Sequence, residues 1–287
     1  MPFLKLLLFV LLKVAIATLV VSLSTLYSAI RPQKFVSNTT PADFNLQYEN
    51  VTLVTEDNLK LDTWFIPAAN KTNKAVVVMH GYPFDKGNIL PLATFLHDEF
   101  NLVLFDFRYL GKSEGSYNSV GIHEKKDLAA AVKYLHNSKN QTKIGALGFS
   151  LGGAVAIMGA KQNNLSAVVS DSSYASLENM LRTTYKLFRI FKFPFLVTTK
   201  ILSKILLKID VAEVSPEKSI KELKIPIMII HGSDDDQIPV DNAYQLKSAN
   251  QKVELWIIEN AGHGFASNVA GKEYEKRVLK FFKDHLT

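Results

Sequence analysis

A serine with glycine two residues to either side, Gly148-Phe149-Ser150-Leu151-Gly152, joins an apolar run at 143–147 to a second one at 153–161. The first run reads as a strand and the second as a helix. A serine at so sharp a turn is held in strained backbone geometry that small neighbours permit, with its hydroxyl lifted clear of the sheet edge. There it is placed for nucleophilic attack. The N–H of Leu151, free at the start of the helix, points to where negative charge develops on a substrate carbonyl oxygen. Tight helix packing or a phosphate cradle would use similar glycines. However, the fingerprint G-x-G-x-x-G is absent, and Gly111-Lys112-Ser113 has Asp106 where a phosphate loop needs its first glycine.

A serine nucleophile needs a base, and the chain has seven histidines. His97, His123 and His136 fall in polar or mixed helical stretches, and His285 is two residues from the end. His80 and His231 each close an apolar run and precede glycine, so both read as residues shaping strand-end turns. His263 lies in Asn260-Ala261-Gly262-His263-Gly264, a turn between the strand-like run 253–258 and the closing helix. Such a loop carries an imidazole over a sheet edge. Candidates for the acid that orients it cluster in Ser233-Asp234-Asp235-Asp236-Gln237, after the strand-like run 225–230. Three adjacent aspartates repel one another. At most one is expected in the chemistry, the others being solvated or capping charges.

From about Phe44 to its end the chain resembles an α/β-hydrolase. It is most similar to membrane-associated serine hydrolases of the BEM46-like and ABHD13-like kind, with similarity also to serine aminopeptidase-type sequences. Val76-Val77-Val78-Met79-His80-Gly81-Tyr82 resembles the strand and oxyanion loop. Residues 106–115 resemble D-x-R-G-x-G-x-S-x-G, with Tyr109 where the family has glycine. The pattern H-G-x-x-D-x-x-[VI]-P falls on His231, Gly232, Asp235, Ile238 and Pro239. By this resemblance Asp235 is the acid, His263 the base, and the backbone N–H of Tyr82 the second oxyanion donor beside Leu151. The order Ser150, Asp235, His263 is that of α/β-hydrolases.

A chain of 287 residues with 47% hydrophobic content can bury one large core. Apolar runs at 74–79, 102–106, 143–147, 167–170, 225–230 and 253–258 alternate with helix-like segments, which predicts βαβ units and a mostly parallel sheet flanked by helices. Residues 47–55 and 60–67 alternate with period two and predict an antiparallel hairpin at one edge. No internal repeat or low-complexity tract is present. With zero cysteines, disulfides, thiolate ligands and a cysteine nucleophile are excluded. H-E-x-x-H spacing is absent too, which leaves zinc hydrolysis little support and implies no metal and no cofactor. Asn38, Asn50, Asn70, Asn140 and Asn164 begin N-x-[ST] sequons, read as chance in an Asn-rich chain.

Residues 6–30 are almost wholly apolar apart from Lys13, long enough for a tilted membrane-spanning helix of about 20 residues. An uncleaved single-pass anchor over 1–34 is expected. The alternative is a secretory signal cut near Ala15-Ile16-Ala17, but the apolar run continues past that point. Lys5 and Lys13 are opposed by Arg31 and Lys34, so charge balance sets no orientation. Residues 35–43 read as a tether and 44–287 as the hydrolase domain.

Between about 174 and 224 the βα alternation lapses, and the resemblance implies a lid there. From Arg182 to Lys208 there are seven basic residues and no acidic ones, against a net charge of +6 for the whole chain. Either this is a solvated cap face, or Lys200, Lys204 and Lys208 run as a basic stripe beside Ile201, Ile205 and Ile209 and meet a membrane surface. Basic residues interleaved with Leu, Ile and Phe argue against nucleic acid. Pro194 should separate this helix from the segment before it. The chain is therefore expected to be a membrane-anchored serine hydrolase of an ester or thioester, lipid-derived acyl groups included. An amide-cleaving aminopeptidase-like enzyme, a perhydrolase and a catalytically idle binding protein are the alternatives.

Overall fold

The computed structural model describes residues 2–287. Eight strands, β1 (Glu49–Val54), β2 (Lys60–Ile66), β3 (Lys74–Met79), β4 (Asn101–Phe105), β5 (Lys143–Phe149), β6 (Ala167–Asp171), β7 (Ile227–Gly232) and β8 (Glu254–Ile258), form one sheet in the order β1-β2-β4-β3-β5-β6-β7-β8. β1 and β2 form the expected edge hairpin and β2 runs antiparallel to β4, while every other pairing is parallel.

Parallel strands are buried on both faces, so their runs are continuously apolar rather than alternating. In β3, Ala75, Val77 and Met79 enter one core while Val76 and Val78 enter the other. The helices are α1 (Pro2–Ile30), α2 (Lys86–Ile89), α3 (Glu124–Lys139), α4 (Leu151–Gly159), α5 (Leu177–Thr184), α6 (Lys192–Leu207), α7 (Pro216–Ile220), α8 (Asp241–Ala249), α9 (Ala266–Ala270) and α10 (Lys272–His285). α3, α4, α7 and α8 supply the first core through Leu128, Val155, Ile220 and Leu246. α2 and α10 supply the second through Ile89, Val278 and Phe282.

The loop after β4 is held by buried charges. Asp106 accepts from the N–H groups of Lys86 and Lys112, each at 2.8 Å, and pairs with Lys86 Nζ at 2.9 Å. Arg108 bridges Asp127, at 2.6 Å, and Asp57, at 2.8 Å, tying this loop to α3 and to the β1–β2 turn. Tyr109 keeps the backbone shape that glycine would give. It sits at φ 68, and its hydroxyl donates to the Pro32 carbonyl at 3.1 Å.

The segment between β6 and β7 carries α5, α6 and α7. α5 is capped by Ser176, whose hydroxyl accepts the Asn179 N–H at 3.2 Å. Pro194 lies inside the first turn of α6, where its missing N–H is not needed, and so does not mark the break expected before it. The basic stripe also needs correction. Lys200 and Arg182 both pair with Glu178, at 3.2 and 2.9 Å, and Lys204 pairs with Asp210 at 3.0 Å. Two acidic residues just outside 182–208 thus pair with three of the seven basic ones. Ile201 and Ile205 are exposed, but Ile209 is buried and leaves their row.

Phe3–Ile30 is long and apolar enough to cross a membrane, with a mean hydropathy of 2.7, and little of it is buried. It lies along α6. Toward its C-terminal end, the Ser22 hydroxyl reaches the Phe195 carbonyl at 3.4 Å and the Ile30 carbonyl accepts the Asn118 N–H at 2.8 Å.

Candidate active site

Ser150 connects β5 to α4 at φ 53 and ψ −113, a conformation L-residues adopt only under constraint. The constraint is visible. Its N–H donates to the Asp171 carbonyl at 2.8 Å, and the turn is so tight that a Cβ on Gly148 would strike the backbone of Gly152. A Cβ on Gly152 would in turn strike the Met79 carbonyl, so both glycines are there for close approach.

Gly81 presses on the same turn, since a Cβ there would lie 3.3 Å from the Ser150 Cβ. His80 shapes this loop. Its Nε2 accepts the Phe107 N–H at 3.0 Å, so Nδ1 carries the proton and donates to the Gly81 carbonyl at 2.8 Å. Burial holds His80 below the usual histidine range, in keeping with that neutral form. Tyr82 follows at the edge of the cavity above Ser150. Burial, and then the neighbouring Tyr109, push its phenol up to about 12, so it stays a donor, to the Ser28 carbonyl at 3.1 Å.

The loop after β7 brings one of its three aspartates inward. Asp235 is 5% exposed, while Asp234 and Asp236 are exposed. His263, after β8, places Nδ1 2.7 Å from Asp235 Oδ2. Its ring packs on Phe149 with centroids 5.0 Å apart. The other carboxylate oxygen accepts the N–H groups of Ile238, at 2.7 Å, and Gln237, at 3.1 Å. Burial alone would raise the Asp235 carboxyl. Hydrogen bonds from His231, His263 and the Ile238 N–H outweigh it and hold the group well below the usual carboxylate range. A carboxylate at Oδ2 fixes the proton of His263 on Nδ1, which leaves Nε2 free as an acceptor.

Ser150, Leu151, Tyr82 and His263 line one cavity of about 640 Å³. Among the described residues no hydrogen bond joins the Ser150 hydroxyl to His263. Catalytic contacts are often loose in the free enzyme and tighten with substrate. Tyr82 and His263 also line a second cavity of about 770 Å³, with His80, Asp171, Asn268 and Glu275. Among the described residues, no cluster of three or more His, Asp or Glu could hold a metal ion.

Two groups at this centre escaped sequence reasoning. His231, read as a turn residue, is fully buried and places Nε2 3.3 Å from Asp235 Oδ2 and 2.8 Å from the Ile238 carbonyl. The H-G-x-x-D spacing was its only available signal. Asp171, at the end of β6, accepts the Tyr274 hydroxyl at 2.9 Å and the Ser172 hydroxyl at 2.8 Å, and burial raises its carboxyl. Nothing local in the sequence marks it.

Comparison with known proteins gives consistent relatives. The prolyl oligopeptidase family matches residues 113–287. The chain is 30% identical to Bem46 of Schizosaccharomyces pombe over 74% of this chain and 69% of that protein. It is 30% identical to YqkD of Bacillus subtilis over 75% and 72%. Among solved structures, the esterase Pf2001 of Pyrococcus furiosus superposes with a TM-score of 0.75 at 30% identity, covering 90% of this chain and all of that one. An acylaminoacyl peptidase of Pyrococcus horikoshii shares the fold at a TM-score of 0.66 and 17% identity, covering 86% of this chain and 43% of its own.

Proposed function

The chain belongs to the prolyl oligopeptidase family of α/β hydrolases, with Bem46 and YqkD among its relatives, and from that premise we propose that it cleaves a carboxylic ester or thioester through an acyl-enzyme on Ser150. One observation carries the proposal. The Ser150 turn opens onto the same cavity as His263, whose Nδ1 is held 2.7 Å from a buried carboxylate.

His263 Nε2 takes the Ser150 proton as Oγ attacks the carbonyl carbon. Asp235 keeps the imidazole in the useful tautomer and stabilises its charged form. The carbonyl oxygen becomes an oxyanion facing the N–H groups of Tyr82 and Leu151, a type of donor worth about 3 kcal/mol each in the transition state. The tetrahedral adduct collapses, the imidazolium protonates the departing alcohol or thiol, and the acyl group remains on Oγ. Water then attacks by the same route in reverse order. These steps require no cofactor or metal.

The segment at about 174–224 serves as a lid over this cavity. α1 with residues up to 34 is a single-pass anchor, 35–43 its tether, and 44–287 the catalytic domain. A cleaved signal is the alternative for α1. The exposed apolar residues of the lid, among them Ile190 and Phe191 at 75% and 70% exposure, support contact with the membrane beside α1. The esterase neighbour at 30% identity favours ester cleavage. An amide substrate is the second possibility, on the strength of the family match.

Turnover by the full-length protein on a matched panel of aryl esters, acyl thioesters and aminoacyl anilides tests the reaction class. Ester or thioester turnover is expected. Turnover of anilides alone would move the assignment to amide hydrolysis.

A further inference from the structure

We propose that the C-terminal part of α1 is a substrate-binding element: residues 24–30 wall the acyl cavity, so that the membrane anchor sets the acyl-chain length the enzyme accepts. This rests on Ser150 as the nucleophile.

The cavity that opens on Ser150 is bounded on one side by Ser24, Thr25, Leu26, Ser28, Ala29 and Ile30. Facing them are lid residues such as Leu181 and Leu207. A cavity of about 640 Å³ falls within the size range of small-ligand sites.

α1 is fastened there. The Tyr82 hydroxyl donates to the Ser28 carbonyl at 3.1 Å, so the oxyanion-loop residue itself grips the helix. The Asn118 N–H holds the Ile30 carbonyl at 2.8 Å, the Tyr109 hydroxyl holds Pro32 at 3.1 Å, and Lys34 Nζ donates to the Ser113 carbonyl at 3.2 Å. A flexible tether would need none of these contacts.

Length and composition divide the helix at the same place. Its 29 residues at about 1.5 Å each run about 43 Å, whereas the hydrocarbon core of a bilayer is about 30 Å thick. About nine residues therefore project, which corresponds to 22–30. Residues 3–21 are aliphatic or phenylalanine apart from Lys5, Lys13 and Thr18, while Ser22, Ser24, Thr25, Tyr27 and Ser28 concentrate hydroxyls that a lipid-facing segment does not require. Ser22 lies against Phe195 of α6, close in sequence to the exposed Ile190, Phe191 and Phe193 of the lid. The cavity thus sits at the bilayer boundary, and its fitting occupant is the acyl chain of a lipid-derived ester, entering beside α1.

The test uses the full-length protein in nanodiscs, a fluorophosphonate label, and p-nitrophenyl esters from acetyl to dodecanoyl. Each buried methylene contributes about fourfold to kcat/KM. Leu26→Trp, which fills the cavity, is expected to lower the decanoyl-to-butyryl kcat/KM ratio roughly tenfold. Leu26→Ala is expected to move the optimum to longer chains. Leu11→Trp, exposed on the lipid-facing part of the same helix, should leave the ratio within about twofold of wild type. A labelled wild type whose ratio is the same in both Leu26 variants overturns the wall alone, as does a shift in one direction by all three variants. A wild type that is neither labelled nor active overturns the Ser150 assignment and the wall together.

Discussion

Asp235 Oδ2, the oxygen that holds His263, is also 3.3 Å from Nε2 of His231, a histidine buried at the end of β7. Nε2 of His231 lies 2.8 Å from the Ile238 carbonyl, so it carries the proton and donates to carbonyl and carboxylate together. Among the described residues its buried Nδ1 has no hydrogen-bond partner. In the proposed mechanism His231 is a positioning residue for Asp235. His231→Phe, of similar volume, is expected to lower kcat about 10- to 100-fold by removing a charge-assisted hydrogen bond. A loss below twofold, or one as large as that of Asp235→Asn, would contradict this role.

The three aspartates separate by burial. Asp235→Asn should cost on the order of 10⁴ in kcat, because an amide no longer fixes the proton of His263 on Nδ1. Asp234 and Asp236 are exposed, and Asp→Asn at either should cost under about tenfold. Steady-state kinetics of the three variants decides it. A severe loss at either neighbour would shift the acid by one position.

Gly152→Ala tests the close approach under Ser150. The added methyl would strike the Met79 carbonyl, which belongs to a central strand and cannot move cheaply. A stability loss of about 2–3 kcal/mol by denaturant titration is expected, with a parallel loss of turnover. Wild-type stability would mean that the elbow relaxes more easily than its packing implies.

Stability should also depend on acid pH through Asp57. Burial alone would raise its carboxyl, but hydrogen bonds from Arg108 and Thr55 outweigh it, and the folded value lies below the usual carboxylate range. A depressed folded value contributes stability that is present above about pH 4 and is lost as pH falls through the folded value. Partial exposure screens it to on the order of 1 kcal/mol. Asp57→Asn should therefore be less stable than wild type at pH 7, and the gap should narrow on moving toward pH 2. A constant gap across that range would contradict the linkage.

Much of the fold was legible because parallel strands are continuously apolar and end in turn residues. All six apolar runs became strands within about two residues. β7 starts at Ile227 rather than at 225 because Pro226 has no N–H for the ladder, although its carbonyl accepts the Val168 N–H at 3.1 Å. His263 meets Asp235, and Ser150 shares a cavity with His263, since each of the three follows a strand of the same sheet at the same end. Pairings across the sequence were not legible. Tyr274 meets Asp171 from 103 residues away, and Glu178 and Asp210 pair with Arg182, Lys200 and Lys204 of a segment that looks uniformly basic when read from 182 to 208 alone. Nor does the apolar character of α1 reveal that its last turns face a cavity, because hydropathy does not distinguish lipid from a neighbouring helix.

The most direct measurement is covalent labelling of the full-length protein in detergent with a fluorophosphonate, followed by mass mapping of the adduct. Labelling at Ser150 alone is expected, and Ser150→Ala should lose both label and hydrolysis, with loss of a triad nucleophile costing about 10⁶ in kcat. The fold should survive, because the turn is held by the Ser150 backbone N–H on the Asp171 carbonyl, which alanine keeps. An unlabelled wild type, or near-wild-type turnover in Ser150→Ala, would contradict the assignment of the chain as a serine hydrolase.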